Sequence, residues 1–216
     1  MSLTLHYHPL SSFCWKVLIP LYENGTAFEP KQLNLQDPQE VAAFRALWPV
    51  GKMPVLVDEH HDRVLAETTI IIEWLDHHHR GETRFVPEDW EQAHEVRLWD
   101  RIYDLYVQHP MQRIVFDRIR PPEQRFAIGV AEERELLRRT MAMVDAYVAD
   151  KHWATGEQFT LADCAAMPAL FYADKVEPFE GRWPHALALL ERLKARPSVA
   201  RVLREAEPWF RYFPKE

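Results

Sequence analysis

Three side chains near the start of the chain, Ser11, Ser12 and Cys14, have the types and spacing to hold or activate an anion. They follow an alternating stretch, Leu3-Thr4-Leu5-His6-Tyr7, and precede an apolar run through Ile19. That pattern is a strand, a tight turn and the first turn of a helix. A helix N-terminus offers unpaired N–H groups and a partial positive charge, so it stabilises a thiolate or other anion placed against it. A serine hydroxyl at that point donates to a thiolate and lowers the thiol's pKa by favouring its charged form. Ser11-x-x-Cys14 has the spacing of a redox C-x-x-C pair with its first cysteine replaced. The plainer reading of Ser11 or Ser12 is a helix cap, and this stretch taken alone favours it.

The elements that must position these groups follow in order. Ser12 to Glu23 reads as a helix stopped by Asn24-Gly25, with Pro20 inside it as an expected kink. Phe28 to Leu35 contains a second strand. Asp37 caps a short helix that begins with Pro38. Pro49 and Gly51 mark a turn, and Pro54 stands at the mouth of a strand from Val55, where an X–Pro bond could be cis. His60-His61-Asp62-Arg63 turns a hairpin into Val64-Leu65-Ala66, and Glu67-Thr68 opens an apolar helix. This order predicts one parallel pair of strands and one antiparallel hairpin.

Gly81 to Glu88 is a polar linker. The expected organisation is a first domain over residues 1–80, a linker over 81–88 and an all-helical domain over 89–216. Trp90 to Arg118 reads as one long helix bent at Pro110, and Glu123 to Asp150 as a second. Thr160 to Ala173 is apolar enough to be buried, and Thr160-Leu161-Ala162-Asp163 has the form of a capping box. On that reading Cys164 is a small core residue. Shorter helices follow, and the aromatic tail Trp209-Phe210-Arg211-Tyr212-Phe213 is expected to fold back on the body.

At 216 residues the chain is long enough for a sizeable core, and its net charge of −7 argues against nucleic acid or a membrane surface as partner. Two cysteines make no disulfide framework and suit a reducing compartment, so a cytoplasmic location is expected. The first residues carry no signal-peptide pattern, and no apolar run is long enough to span a bilayer. Asp76-His77-His78-His79-Arg80 invites a metal reading. Cationic residues also suit a helix C-terminus, and consecutive helical residues point in different directions, so no metal site is expected.

Four stretches, taken together, resemble the glutathione S-transferase superfamily. They are Ser11-Ser12-Phe13-Cys14-Trp15-Lys16-Val17, Pro49-Val50-Gly51-Lys52-Met53-Pro54-Val55-Leu56, Glu67-Thr68, and Phe159-Thr160-Leu161-Ala162-Asp163. Each is weak alone; their order and spacing across the whole chain are specific. The resemblance implies an α/β thioredoxin-like N-terminal domain followed by an all-α C-terminal domain. It implies a glutathione site on the first and an acceptor site in the cleft between them. Ser11 would then activate the glutathione thiol, with Ser12 as the competing candidate. Met53, before a cis-Pro54, would pair its backbone with the cysteinyl part of glutathione. Glu67 would take the γ-glutamyl ammonium, Thr68 its carboxylate, and Lys52 the glycyl carboxylate.

The first run resembles the zeta and tau-like serine types. Lys16 stands where arginine is common, and Pro20 interrupts the helix; both depart from that pattern and from maleylacetoacetate isomerase. With serine at the first position of the turn, no thiol-transferase is expected, and Cys14 is expected to be buried and inert. Tyr103, Tyr106 and Arg113, with His109 and Met111, are the expected acceptor-site residues on the long helix after the linker. The expected activity is attack of a glutathione thiolate on a small electrophile, by a homodimer, with no metal or organic cofactor. The alternatives are a glutathione-dependent isomerase on the same site and a non-catalytic binding module that keeps the fold.

Overall fold

The computed structural model describes residues 2–214. The alternating leucines near the start form β1 (Leu3–Tyr7), and Leu3 and Leu5 are both buried. α1 (Ser12–Glu23), β2 (Glu29–Gln32), α2 (Pro38–Leu47), β3 (Val55–Asp58), β4 (Arg63–Leu65) and α3 (Thr68–His78) complete the first half. The sheet order is β2-β1-β3-β4, with β1 parallel to β2 and β3 antiparallel to both β1 and β4. Leu5 sits opposite Pro30 on one side and Leu56 on the other. One βαβ crossover and one hairpin give this mixed sheet, as the sequence pattern requires.

Local chemistry accounts for the element ends. The Asp37 carboxylate accepts the Gln39 N–H at 2.8 Å, and Pro38 fills the first helical position of α2. α1 ends at Asn24, and Gly25 follows at φ 61°, the left-handed conformation glycine adopts without cost. α1 continues through Pro20 to Glu23. It is apolar on nearly every side because it is covered on nearly every side. α3 packs against it from its own half, and α7 (Leu161–Val176) and α9 (Pro197–Ala206) from the helical half.

The second half holds α4 (Trp90–Ile102), α5 (His109–Arg118), α6 (Ala127–Tyr147), α7, α8 (Pro184–Ala195) and α9. The single long helix expected from Trp90 to Arg118 is instead split by a π-helical segment, Tyr103–Gln108. Pro110 has no N–H to give to the turn before it. The wider register answers that loss just upstream, where the His109 N–H reaches back to the Asp104 carbonyl. The second long helix begins at Ala127 rather than Glu123, because Pro121-Pro122 leads into a separate 3₁₀ turn, Pro122–Gln124.

α7 is the centre of the helical half and is buried along most of its length. At its start the Asp163 carboxylate accepts the N–H of Thr160 at 2.9 Å and of Ala154 at 2.8 Å. The aromatic tail returns over α1 and α7. Phe210 meets Trp15 edge-on at 5.9 Å, and Phe213 lies 5.5 Å from Tyr172. Among the described residues, no helix is long and apolar enough to cross a membrane.

Candidate functional site

The loop between β1 and α1 is held from several sides. Within it the Ser11 N–H bonds the His8 carbonyl at 3.0 Å, and the Trp15 indole donates to the Pro9 carbonyl at 2.6 Å. From the helical half, the Tyr172 hydroxyl donates to the Leu10 carbonyl at 2.9 Å. These bonds fix Ser11 at the N-cap of α1, where its Oγ accepts the Cys14 N–H at 3.3 Å. Accepting that bond leaves the Ser11 O–H free to donate. Ser12, the next residue, is buried, and its Oγ accepts from the Gln108 amide at 2.6 Å. Cys14 is fully buried, and burial pushes its thiol up to about 12, so it is not ionised near neutral pH.

Two hollows adjoin at this turn. One, of about 400 Å³, takes in Ser11 and Ser12 and is walled mostly by apolar groups, among them Leu35, Met111, Val115, Phe116 and Phe213. The other, of about 270 Å³, is more polar and includes Glu67, Thr68, Arg101, Asp104 and His109. Phe13, Lys52, Met53 and Gln112 border both. The Met53–Pro54 bond is cis, and Gly51 turns the chain before it at φ 67° with its N–H on the Trp48 carbonyl at 2.8 Å. Glu67 stands at φ 65°, ψ 116°, outside the left-handed well as well as the right-handed one. Such backbone strain, of order 1–3 kcal/mol, persists where the surroundings over-determine a functional position.

Lys52, Met53, Pro54, Glu67 and Thr68 therefore meet around one polar hollow, and Ser11 and Ser12 stand in its apolar neighbour. Three expected acceptor residues lie elsewhere. Tyr103 is fully buried in the helical core, where it continues the buried stripe of Val96 and Trp99 along α4, its ring 5.8 Å from that of Trp99. Tyr106 is about half exposed and borders neither hollow. Arg113 points to α6, where it pairs with Glu133 at 2.8 Å. Met111 does line the apolar hollow, and His109 the polar one.

Sequence reasoning missed the row that joins the two halves. Asp100, Asp104 and Gln108 recur at helical spacing, and all are buried. They face Ser12 and Lys16 on α1. The Lys16 ammonium lies 2.5 Å from Asp100 and 2.7 Å from Asp104, and it is fully buried. Arg101 pairs with the same two carboxylates, and the Thr69 hydroxyl donates to Asp100 at 2.7 Å. The signal was present as three polar residues on a helix face that packing would otherwise fill with apolar ones.

Comparisons with known proteins agree with this geometry. Residues 5–83 match the family described as glutathione S-transferase, N-terminal domain, and residues 107–197 the one described as glutathione S-transferase, C-terminal domain. Glutathione S-transferase F13 of Arabidopsis thaliana is 26% identical over 210 residues, covering 94% of this chain and 95% of its own. FtsZ-localized protein A of Caulobacter vibrioides is 27% identical over 216 residues, covering 95% and 92%. A solved glutathione S-transferase from Methylobacterium radiotolerans, in complex with glutathione sulfonate, is 25% identical with a TM-score of 0.80, covering 94% of each chain.

Proposed function

The chain belongs to the glutathione S-transferase superfamily, and on that premise we propose that it is an enzyme that binds glutathione and presents its thiolate to a small apolar electrophile. The observation that carries this reading is the junction of the two hollows. A polar one brings together anions, Glu67 and Asp104, and cations, Lys52 and Arg101, which suits a zwitterionic peptide. An apolar one of acceptor size begins where Met53 and Phe13 border both.

In this mechanism the Met53 backbone pairs with the cysteinyl segment in strand fashion. Glu67 takes the γ-glutamyl ammonium, Thr68 and the first N–H groups of α3 take its carboxylate, and Lys52 takes the glycyl carboxylate. The thiol then falls at the N-terminus of α1, where the Ser11 O–H donates to the sulfur and the helix favours its charged form. The rate comes from the lowered thiol pKa and from holding sulfur and electrophile together. No metal or organic cofactor enters the reaction. Trp90, Leu98 and Leu105 recur on an exposed face of α4 and the π-segment, which supports a homodimer paired through the helices after the linker.

Calorimetry of glutathione binding across pH tests the reading. The wild-type protein should bind and release protons near neutral pH, whereas Ser11→Ala should bind but release them only at higher pH. No binding at millimolar glutathione would remove the enzyme reading. Binding without conjugation or isomerisation of any electrophile would leave the binding module.

A further inference from the structure

Away from both hollows, beside the β3–β4 hairpin, the imidazoles of His61 and His79 meet one buried carboxylate, that of Asp58. We propose that Asp58, His61 and His79 form a binding site for one divalent transition-metal ion of the zinc type. The Asp58 Oδ2, His61 Nδ1 and His79 Nε2 atoms all lie within 4.8 Å of one another. Each imidazole nitrogen is 2.8 Å from Oδ2. Zinc holds such ligands at about 2.0–2.1 Å, so tetrahedral neighbours sit roughly 3.3 Å apart, and two small ring movements open the three atoms to that spacing. The two rings can make them, since the His61 and His79 side chains are 27% and 23% exposed.

The surroundings are those of a supported ligand set. The Asp58 side chain is only 1% exposed. Its Oδ2 also accepts the Trp74 indole N–H at 2.9 Å, and its Oδ1 accepts the His60 and His61 backbone N–H groups at 3.1 and 3.3 Å. These bonds fix the carboxylate plane, the task of outer-shell partners in metal sites. The site also lies at the C-terminal end of α3, whose carbonyls favour a cation.

Two imidazoles and a carboxylate select zinc, cobalt or nickel over magnesium or calcium, which prefer oxygen throughout. Both cysteines are buried, so no thiolate competes for the ion. His78 is the last residue of α3 and its ring lies 4.5 Å from that of His61, while His79 follows the helix as its cap residue. His79 reaches Asp58 while His78 lies against Trp74 with ring centroids 4.0 Å apart. The partner that completes the set, His61, comes from the hairpin. Bound there, the ion ties the hairpin to the end of α3 and stabilises the folded state.

The test uses tag-free protein stripped with a chelator, titrated with zinc chloride by calorimetry and with cobalt(II) by visible absorption. The expected result is one saturable equivalent per chain, a raised melting temperature and a cobalt spectrum of tetrahedral type with mixed nitrogen and oxygen ligands. His61→Ala and His79→Ala should each weaken binding about tenfold or more, with circular dichroism unchanged. His77→Ala should bind as wild type does. Equal losses in all three variants, or binding untouched by His61→Ala and His79→Ala, would show only a histidine-rich surface and overturn the site. So would the absence of saturable binding. Asp58 also holds the hairpin turn, so its substitution is not the readout.

Discussion

At the scale of single residues, the two serines of the turn divide their work by what each touches. Ser11 caps α1 and borders the apolar hollow, while Ser12 is buried against Gln108 of the opposite half. Ser11→Ala therefore removes both a cap, about 1 kcal/mol of stability, and the donor proposed for the thiolate. Ser12→Ala leaves the Gln108 amide without its acceptor in a buried place, which costs about 1–3 kcal/mol. Thermal unfolding together with the pH dependence of conjugation separates the two. Ser12→Ala should lower the melting temperature and leave the apparent thiol pKa in place; Ser11→Ala should raise that pKa. A pKa shift confined to Ser12→Ala would reverse the assignment. The sequence brought both hydroxyls to the right turn and could not rank them, because the residue that distinguishes them, Gln108, is remote in the chain.

At the scale of elements, α1 and the α4–π–α5 column are joined by a polar strip in an otherwise apolar contact. Lys16 and Arg101 together balance Asp100 and Asp104, the lysine from the buried side and the arginine from the outer one. Removing Lys16 leaves two buried carboxylates facing the single, half-exposed guanidinium of Arg101, one charge short of balance. Lys16→Met should lose roughly 3–5 kcal/mol in denaturant unfolding, with Lys16→Arg not a neutral exchange, since the planar fork cannot follow the ammonium into this space. A loss under about 1 kcal/mol would show that water reaches the two aspartates. The strands, α1, α2 and α3 were legible because each has local punctuation: Asn24-Gly25, Asp37-Pro38, the hairpin turn. The π-segment was not. Its cause, the missing N–H of Pro110, is visible in the sequence, but the bend it predicts and the wider register it produces occur at different residues. Tyr103 was expected in the cleft and instead continues the buried stripe of Val96 and Trp99 from α4 into the core.

At the scale of the whole molecule, acid should unfold the helical half through Glu177. This carboxylate is buried under Arg134 at 2.6 Å, Arg138 at 3.0 Å and Arg182 at 2.9 Å. Burial would raise its pKa, but hydrogen bonds from Arg138, Arg182 and Arg134 outweigh this and hold it at about 2, below the ordinary 4.5. The group thus binds protons more readily in the unfolded chain. Its contribution, roughly 3 kcal/mol, is nearly complete above pH 4.5 and is lost as the pH falls toward about 2. Glu177→Gln should flatten the stability profile across that window in urea titrations; an unchanged slope would assign the acid sensitivity elsewhere. The fold class was readable at this scale, since the switch from mixed to purely helical periodicity spans the whole sequence. The wall of the apolar hollow was legible only at Met111, because the rest is assembled from other residues of α5, Tyr172 of α7 and Phe213, which share no local pattern.

The Lys16 cage also limits how this protein can exchange parts with its relatives. A buried ammonium on α1 is tolerable only beside a helical half that carries acids at the facing positions. A recombinant that joined this first half to a helical half with apolar residues there would leave an unmatched charge at the seam. The two halves therefore form a matched pair, and changes at positions 16, 100 and 104 must travel together when such sequences diverge.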